Sequence, residues 1–229
     1  MLTLYHNSMS AGSRAVRLML GEYGVDVTLV EEHVWERRPE FLILNPACTV
    51  PVLQTDTNTV VGAGVICEYL DETHGALKRD RRLYPEDAAG RTEMRRIMDW
   101  CLVKFEAEVT RYAVHERVTK RQMPASLGGG APDSQALRAV RANIGYHLNY
   151  LGWMASTRNW LAGNGLTQAD LTAAAALSVL DYLGEIDWNE DGHLKEWYMR
   201  VKSRPSFRPL LADRIRGMPP VSHYVDLDF

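Results

Sequence analysis

The sequence predicts a small α/β domain followed by an all-helical domain. Residues 2–75 alternate short strand-like and helical segments, whereas apolar residues recur every three or four positions beyond a basic segment near residue 80. Residues 169–183 are apolar on nearly every side, which predicts a helix buried at the centre of the second domain. The chain has 229 residues, which is long enough to build both cores.

The α/β domain, which we place at residues 1–76, begins with a β-α-β unit. Its predicted elements in chain order are strand 2–5, helix 13–23, strand 25–30, strand 50–54, strand 59–61 and helix 62–72. The last two strands are separated by the turn-forming residues Asp56-Thr57-Asn58, which predict a hairpin.

A linker over residues 77–90 separates this domain from the helical domain, which we place at residues 91–217. The linker contains the basic run 77–83, interpreted as a solvated connection. The helices predicted from apolar spacing are 94–112, 137–151, 169–183 and 193–203. Thr167 and Asp170 have the spacing of a capping box before the buried helix, so we assign Asp170 a structural role.

Composition favours an ordinary cytoplasmic protein. The net charge of −3 gives no electrostatic footprint for nucleic acid, no apolar run is long enough to insert in a bilayer, and the first residues lack the basic start of a signal peptide. Cys48, Cys67 and Cys101 are widely spaced, so we expect reduced core thiols. Histidines and cysteines never fall at paired ligand spacing, so no metal site is predicted.

Two segments of the α/β domain carry residue types of a binding site. Ser10 lies at the start of the first helix, where free N–H groups and the helix dipole favour an anion such as a thiolate, although a serine there is also typical of a simple cap. Val50-Pro51 precedes a strand, and a cis bond at this proline would turn the backbone of Val50 toward a peptide ligand. A rigid loop without a ligand is the alternative interpretation of this segment.

These segments together resemble the glutathione transferase superfamily over nearly the whole chain. Residues 10–17 are similar to the serine-bearing first-helix motif of theta- and zeta-type members, residues 45–53 resemble their Asn-Pro-x-Gly-x-Val-Pro segment, and residues 166–171 resemble their capping box. The resemblance implies a thioredoxin-like N-terminal domain plus an all-α C-terminal domain. It also implies that Ser10 would hold the glutathione thiol and that Val50, before Pro51, would pair with the tripeptide backbone.

The motif that grips the γ-glutamyl group in this family, a Glu-Ser pair, is missing. Alignment places Gly62 at the glutamate and Ala63 at the serine, and Cys48 replaces the glycine of the proline segment. Charged hydrogen bonds contribute roughly 1.5 to 3 kcal/mol each, so losing two weakens binding by about two orders of magnitude or more. We therefore predict no cofactor and no catalytic residue. The vestigial glutathione-site positions are Ser10, Val50, Pro51, Gly62 and Ala63.

Motifs spread along the chain resemble a narrower group, the FtsZ-binding, GST-like cell-division proteins of alphaproteobacteria. They lie at residues 69–75, 78–82, 128–134, 180–188 and 220–229. The resemblance implies a homodimeric, non-catalytic adaptor in the cytoplasm that binds FtsZ filaments at the division site and promotes constriction.

The tail, residues 218–229, is the segment that we predict to contact the partner. It places aromatic and aliphatic residues among acidic ones, and aromatic anchors dominate interface energies. The predicted partner-binding residues are Tyr224, Asp226, Leu227, Asp228 and Phe229. A tail that folds back over its own helical domain is the other interpretation.

A second function is also compatible with the sequence, namely an active glutathione transferase that uses Ser10 with an atypical γ-glutamyl site. The retained Ser10 and Val50-Pro51 support it, and the missing Glu-Ser pair opposes it. A thiol reductase acting through Cys48 is disfavoured because the sequence has no Cys-x-x-Cys motif.

Overall fold

The computed structural model describes residues 2–227, apart from the side chain of Asp80, and shows the predicted fold class. A four-stranded sheet with helices forms the N-terminal domain, and a helical domain follows it. The two domains share one continuous hydrophobic core, because helix Ala11–Tyr23 of the first domain packs along helix Gln168–Leu183 of the second.

The α/β domain contains β1 (Thr3–His6), α1 (Ala11–Tyr23), β2 (Thr28–Glu31), α2 (Pro39–Leu44), β3 (Val52–Gln54), β4 (Thr59–Val61) and α3 (Ala63–His74). The strand order is β2-β1-β3-β4, with β2 parallel to β1 and the other two pairs antiparallel. The β-α-β unit and the hairpin predicted from the sequence therefore build one sheet.

The second strand begins later than the predicted start at residue 25. Gly24 ends α1 in the left-handed conformation, with φ of 60°, and the N–H of Val25 donates to the carbonyl of Leu20 at 2.9 Å. Val25 therefore belongs to the helix cap, and the ladder with β1 starts at Thr28. Strand-like composition alone does not distinguish a cap residue from a strand residue.

The helical domain contains α4 (residues 88–122), α5 (Ser134–Thr157), α6 (Gln168–Leu183), α7 (Gly192–Lys202) and α8 (Arg208–Ala212). Helix α4 starts as an α-helix over Ala88–Asp99 and continues through π-helical stretches at Trp100–Thr110 and His115–Thr119. It starts before the predicted residue 94 because Asp87 caps it, accepting a hydrogen bond from the Gly90 N–H at 2.7 Å, and it continues beyond the predicted residue 112.

Helix α6 is the buried centre of the domain, as predicted, and its start is held by Asp170. The Asp170 carboxylate accepts hydrogen bonds from the N–H groups of Thr167 at 3.0 Å and Leu161 at 2.8 Å, and from the Trp197 indole at 3.0 Å. Burial raises the pKa of this carboxyl group, and the hydrogen bonds that it accepts from Leu161, Thr167 and Trp197 oppose that rise. Asp170 thus joins α6, α7 and the preceding loop, which confirms its structural assignment.

The predicted linker is only partly solvated. Leu83 and Tyr84 are buried, and Arg82 forms an ion pair with Asp71 of α3 at 2.7 Å. The hydroxyl of Tyr23 accepts the Leu83 N–H at 3.0 Å. The connection between the domains is therefore packed against the first of them, despite its basic composition.

The three cysteines are free and buried, which confirms the expectation of reduced core thiols. Across residues 2–227, no helix combines the length and the apolar character needed to cross a membrane. No group of three or more metal-ligating side chains occurs in this described part of the chain.

His6 gives the fold a predictable pH dependence. The side chain is 6% exposed, and burial together with the nearby Arg17 guanidinium lowers its pKa to about 4. An unfolded chain titrates near pH 6.5, so between these values the unfolded state binds a proton that the folded state does not. We expect the free energy of unfolding to fall by at most about 3 kcal/mol from this histidine between pH 7 and pH 4.

Urea unfolding across that pH range measures this effect as a slope. His6→Asn is expected to show a flatter slope than the parent, whereas the exposed His193→Asn is the matched control and is expected to keep the parent's slope. Equal slopes for His6→Asn and the parent would contradict the assignment.

Candidate functional site

A cleft of about 460 Å³ lies between the two domains. The five positions that the sequence comparison with glutathione transferases singled out all line it, namely Ser10, Val50, Pro51, Gly62 and Ala63. The fold therefore brings together residues from α1, the loop before β3 and the start of α3, as the resemblance implied.

Ser10 serves as the N-cap of α1. Its hydroxyl oxygen accepts the N–H of Ser13 at 3.2 Å, and the Ser13 hydroxyl in turn accepts the N–H of Asn7 at 3.2 Å. Both serines of this motif are thus engaged in local backbone capping. The capping interpretation explains Ser10 in this structure without a bound thiolate.

The Val50-Pro51 peptide bond is cis, as the sequence suggested. The Pro51 carbonyl accepts the N–H of Gly62 at 3.1 Å, so the proline loop and the start of α3 are fixed against each other. Cys48, in the same loop, has φ of 53°, a left-handed conformation that favours the glycine it replaces. Its thiol donates to the Val34 carbonyl at 3.2 Å and faces a neighbouring cavity of about 340 Å³.

The start of α3 has no side-chain cap. Gly62 occupies the N-cap with φ of 91°, a conformation suited to glycine, and Ala63 is the first helical residue. A Cβ atom added at Gly62 or Gly64 would meet no atom within 4 Å. The carboxylate and hydroxyl of a γ-glutamyl site are therefore absent although the space beside this helix end is open.

The opposite wall of the cleft places two carboxylates, Asp99 and Glu106, among apolar residues, a feature that the sequence did not indicate. Helix α4 contributes Arg95, Asp99 and Glu106, and Arg95 forms an ion pair with Glu68 of α3. Burial raises the pKa of Glu106, whose carboxylate accepts the Thr110 hydroxyl. The cleft thus offers acceptors for a cation on one wall and the bare N-terminus of α3 on the other.

The tail folds back over the helical domain as far as Tyr224. The Tyr182 hydroxyl donates to the Met218 carbonyl at 2.7 Å, and the N–H of Val221 donates to the Tyr182 carbonyl at 3.3 Å. Tyr224 is fully buried, and its hydroxyl donates to the Leu210 carbonyl at 3.1 Å. The expectation that Tyr224 contacts a partner is wrong for this conformation, because its ring belongs to the chain's own core.

The residues after Tyr224 are exposed. Val225 and Leu227 are 44% and 42% exposed, and Asp226 lies in solvent between them. Asp228 and Phe229, the remaining predicted partner-binding residues, lie outside the described residues. The base of the tail therefore agrees with the fold-back interpretation, and the contact of the exposed continuation with a partner stays a prediction.

A buried polar cluster lies beneath this anchored base. The Asp181 carboxylate accepts hydrogen bonds from the Trp188 indole at 2.8 Å and the Tyr198 hydroxyl at 3.0 Å, and it contacts the His223 ring at 3.0 Å. The Lys202 ammonium is 3.5 Å from Asp181 and donates to the His223 carbonyl at 3.3 Å. Burial lowers the pKa of Lys202, and Asp181 opposes this shift.

An aromatic patch on the outer side of α4 and α5 also escaped the sequence analysis. It consists of Trp100, Tyr146, Tyr150 and Trp153. Tyr146 and Trp153 are 57% and 55% exposed, and the Lys104 ammonium lies 5.6 Å from the Trp100 ring. The spacing of the three α5 residues places them on one helix face. Only the packed structure shows that this face is exposed.

Comparison with known proteins finds similarity to the glutathione S-transferase family in both domains of the chain. Residues 9–73 match the family model of the glutathione S-transferase N-terminal domain, and residues 110–205 match that of the C-terminal domain. The chain is 42% identical over 231 residues to FtsZ-localized protein A of Caulobacter vibrioides, which covers 99% of this chain and 98% of that protein.

Two solved structures are similar over their full length. A glutathione S-transferase from Sinorhizobium meliloti is 59% identical, with a TM-score of 0.99 and complete coverage of both chains. FzlA from C. crescentus is 41% identical, with a TM-score of 0.91 and coverage of 100% of this chain and 99% of that one.

Proposed function

This chain belongs to the glutathione S-transferase family, and we propose that it is a non-catalytic member that binds FtsZ filaments in the cytoplasm at the division site and promotes constriction. The observation that carries the proposal is the similarity to FtsZ-localized protein A over 99% of the chain. The aligned region extends into the tail, so the similarity is not limited to the two domains of the family fold.

The exposed part of the tail supports this proposal physically. Two aliphatic side chains, Val225 and Leu227, flank the Asp226 carboxylate in solvent. A partner that covers them gains roughly 25 cal/mol for each Å² of apolar surface removed from water. A cation on the partner opposite Asp226 would fix the register of the contact.

Reversal of the charge at Asp226 tests the proposed contact. We expect Asp226→Lys to weaken co-sedimentation with GTP-assembled FtsZ by about tenfold, because a like charge then faces the partner's cation. Asp26→Lys, an exposed aspartate of the α/β domain, is the matched control and is expected to pellet as the parent does. Circular dichroism checks that both variants stay folded. Failure of the parent to pellet with FtsZ would refute the proposed function.

An active glutathione transferase is the second candidate, supported by Ser10 in the cleft and by the cis Val50-Pro51 bond. Two observations weigh against it. The Ser10 hydroxyl already caps α1, and Gly62 and Ala63 supply no side-chain oxygen to the γ-glutamyl group.

Calorimetric titration with glutathione separates the two candidates. We expect no saturable heat up to millimolar glutathione, because the loss of two charged contacts weakens binding by about a hundredfold or more. A family member that keeps the Glu-Ser pair serves as the positive control. Micromolar affinity in this chain would favour the enzyme instead.

The proposed adaptor is a homodimer, and the aromatic patch is the surface that a second copy would cover. Lys104 lies beside the patch, whereas α3 presents the exposed Val65 with Glu72 nearby on the same helix. A twofold dimer would place the patch of each copy on the α3 face of the other, so that opposite charges meet twice. The buried Trp100 indole N–H has no partner among the described residues.

Light scattering tests this interface. The parent is expected to show twice the chain mass of 25.9 kDa, and Trp153→Glu is expected to show the single chain mass, because it buries a carboxylate in the interface. Tyr112→Glu replaces an aromatic residue that is 43% exposed elsewhere on α4 and is expected to stay dimeric. A dimeric Trp153→Glu variant would place the interface elsewhere.

A further inference from the structure

Arg14 of α1 is a fully buried guanidinium. Its Nε donates to the Ser8 carbonyl at 2.7 Å, and its Nη1 donates to the Ser178 hydroxyl at 2.8 Å and to the Tyr224 hydroxyl at 3.1 Å. No carboxylate within residues 2–227, leaving aside the Asp80 side chain, pairs with it. A buried cation held only by neutral acceptors is stable when those acceptors stay in place. Each acceptor therefore offsets part of the free-energy cost of burying the charge.

The acceptors come from separate parts of the chain. Ser8 precedes α1, Ser178 lies on α6, and Tyr224 is in the tail. The Ser178 hydroxyl donates to the Ala175 carbonyl at 2.7 Å, and the Tyr224 hydroxyl donates to the Leu210 carbonyl at 3.1 Å. Each hydroxyl therefore directs its proton away from Arg14 and its lone pair toward it. Tyr224 is the residue through which the tail meets this charge.

We infer that Arg14 and Tyr224 are positioning residues for the partner contact, which order the exposed segment 225–227 before the partner arrives. This inference rests on the proposed binding of FtsZ by the tail. Tyr224 is adjacent to Val225, and the turn Ser222–Val225 is closed by the Tyr224 N–H on the Val221 carbonyl at 3.0 Å. An exposed segment that follows a fixed anchor loses less conformational freedom on binding than a loose tail does.

The contacts around the ring make the hydroxyl the specific element of this anchor. The Tyr224 ring packs edge-on against Tyr182, with centroids 5.1 Å apart, and the Arg14 guanidinium lies 6.0 Å from the Tyr224 ring centroid. Tyr224→Phe keeps these ring contacts and removes only the hydrogen bonds to Arg14 and Leu210. Ser178→Ala removes another hydroxyl from the same guanidinium without touching the tail.

These two variants form a matched pair. We expect Tyr224→Phe to raise amide hydrogen exchange in residues 221–226 by about tenfold and to weaken FtsZ co-sedimentation by a similar factor, because a hydrogen bond to a charged donor is lost. Ser178→Ala is expected to lower the melting temperature comparably while tail exchange and FtsZ binding match the parent. A purely stabilising role would make the two variants alike in every readout.

The outcomes separate this inference from the proposed function. If the parent binds FtsZ and Tyr224→Phe matches it in exchange and in binding, the positioning role is overturned while the proposed function stands. If Ser178→Ala loosens the tail and weakens binding equally, the effect is general stability and the inference also fails. If the parent does not bind FtsZ, the proposed function fails. In that case, unchanged amide exchange of the tail in Tyr224→Phe would separately refute the anchoring role of the Tyr224 hydroxyl.

Discussion

The buried guanidinium of Arg14 constrains three parts of the molecule at once. A charge in the interior costs several kcal/mol unless its donors are satisfied, and here the acceptors belong to the loop before α1, to α6 and to the tail. Helix α1 also carries Arg17, which pairs with Asp213 at 2.7 Å, and Glu22, which accepts from Arg204 at 2.7 Å. Helix α1 therefore fixes the helical domain and the path of the chain toward the tail.

Much of this architecture was predictable because it depends on local patterns. The capping box before α6 and the buried character of that helix follow from residues within a few positions of one another. The sequence offered a cis bond at Pro51 only as one alternative, and the structure shows it. The surroundings of Arg14 do not, because its partners Ser178 and Tyr224 are 164 and 210 positions away in sequence. Spacing identified the tail as aromatic and acidic, and only packing showed that Tyr224 points inward.

The candidate site also contains features that could be predicted from the sequence and features that depend on long-range packing. The family resemblance supplied a long-range arrangement, so it predicted that five distant positions would lie together in the cleft, namely Ser10, Val50, Pro51, Gly62 and Ala63. The pairing of Glu68 with Arg95, by contrast, joins two domains across 27 positions, and no local pattern indicates it. Ser10 has a structural reason to be present without a ligand, since it caps the helix that carries Arg14. The cleft thus keeps its shape through contacts that serve the fold.

The tail shows how the proposed binding segment is attached to this scaffold. Its base is packed into the core by Tyr224 and the groups around Asp181. Val225 and Leu227 follow this fixed base directly and are exposed. In the proposed homodimer two such segments would face one filament of repeating subunits. Binding of the first would raise the effective concentration of the second, and this gain is greatest when both segments are held at a fixed spacing. A rigid anchor within each chain is therefore the property that would let a dimer distinguish a polymer from its free subunits.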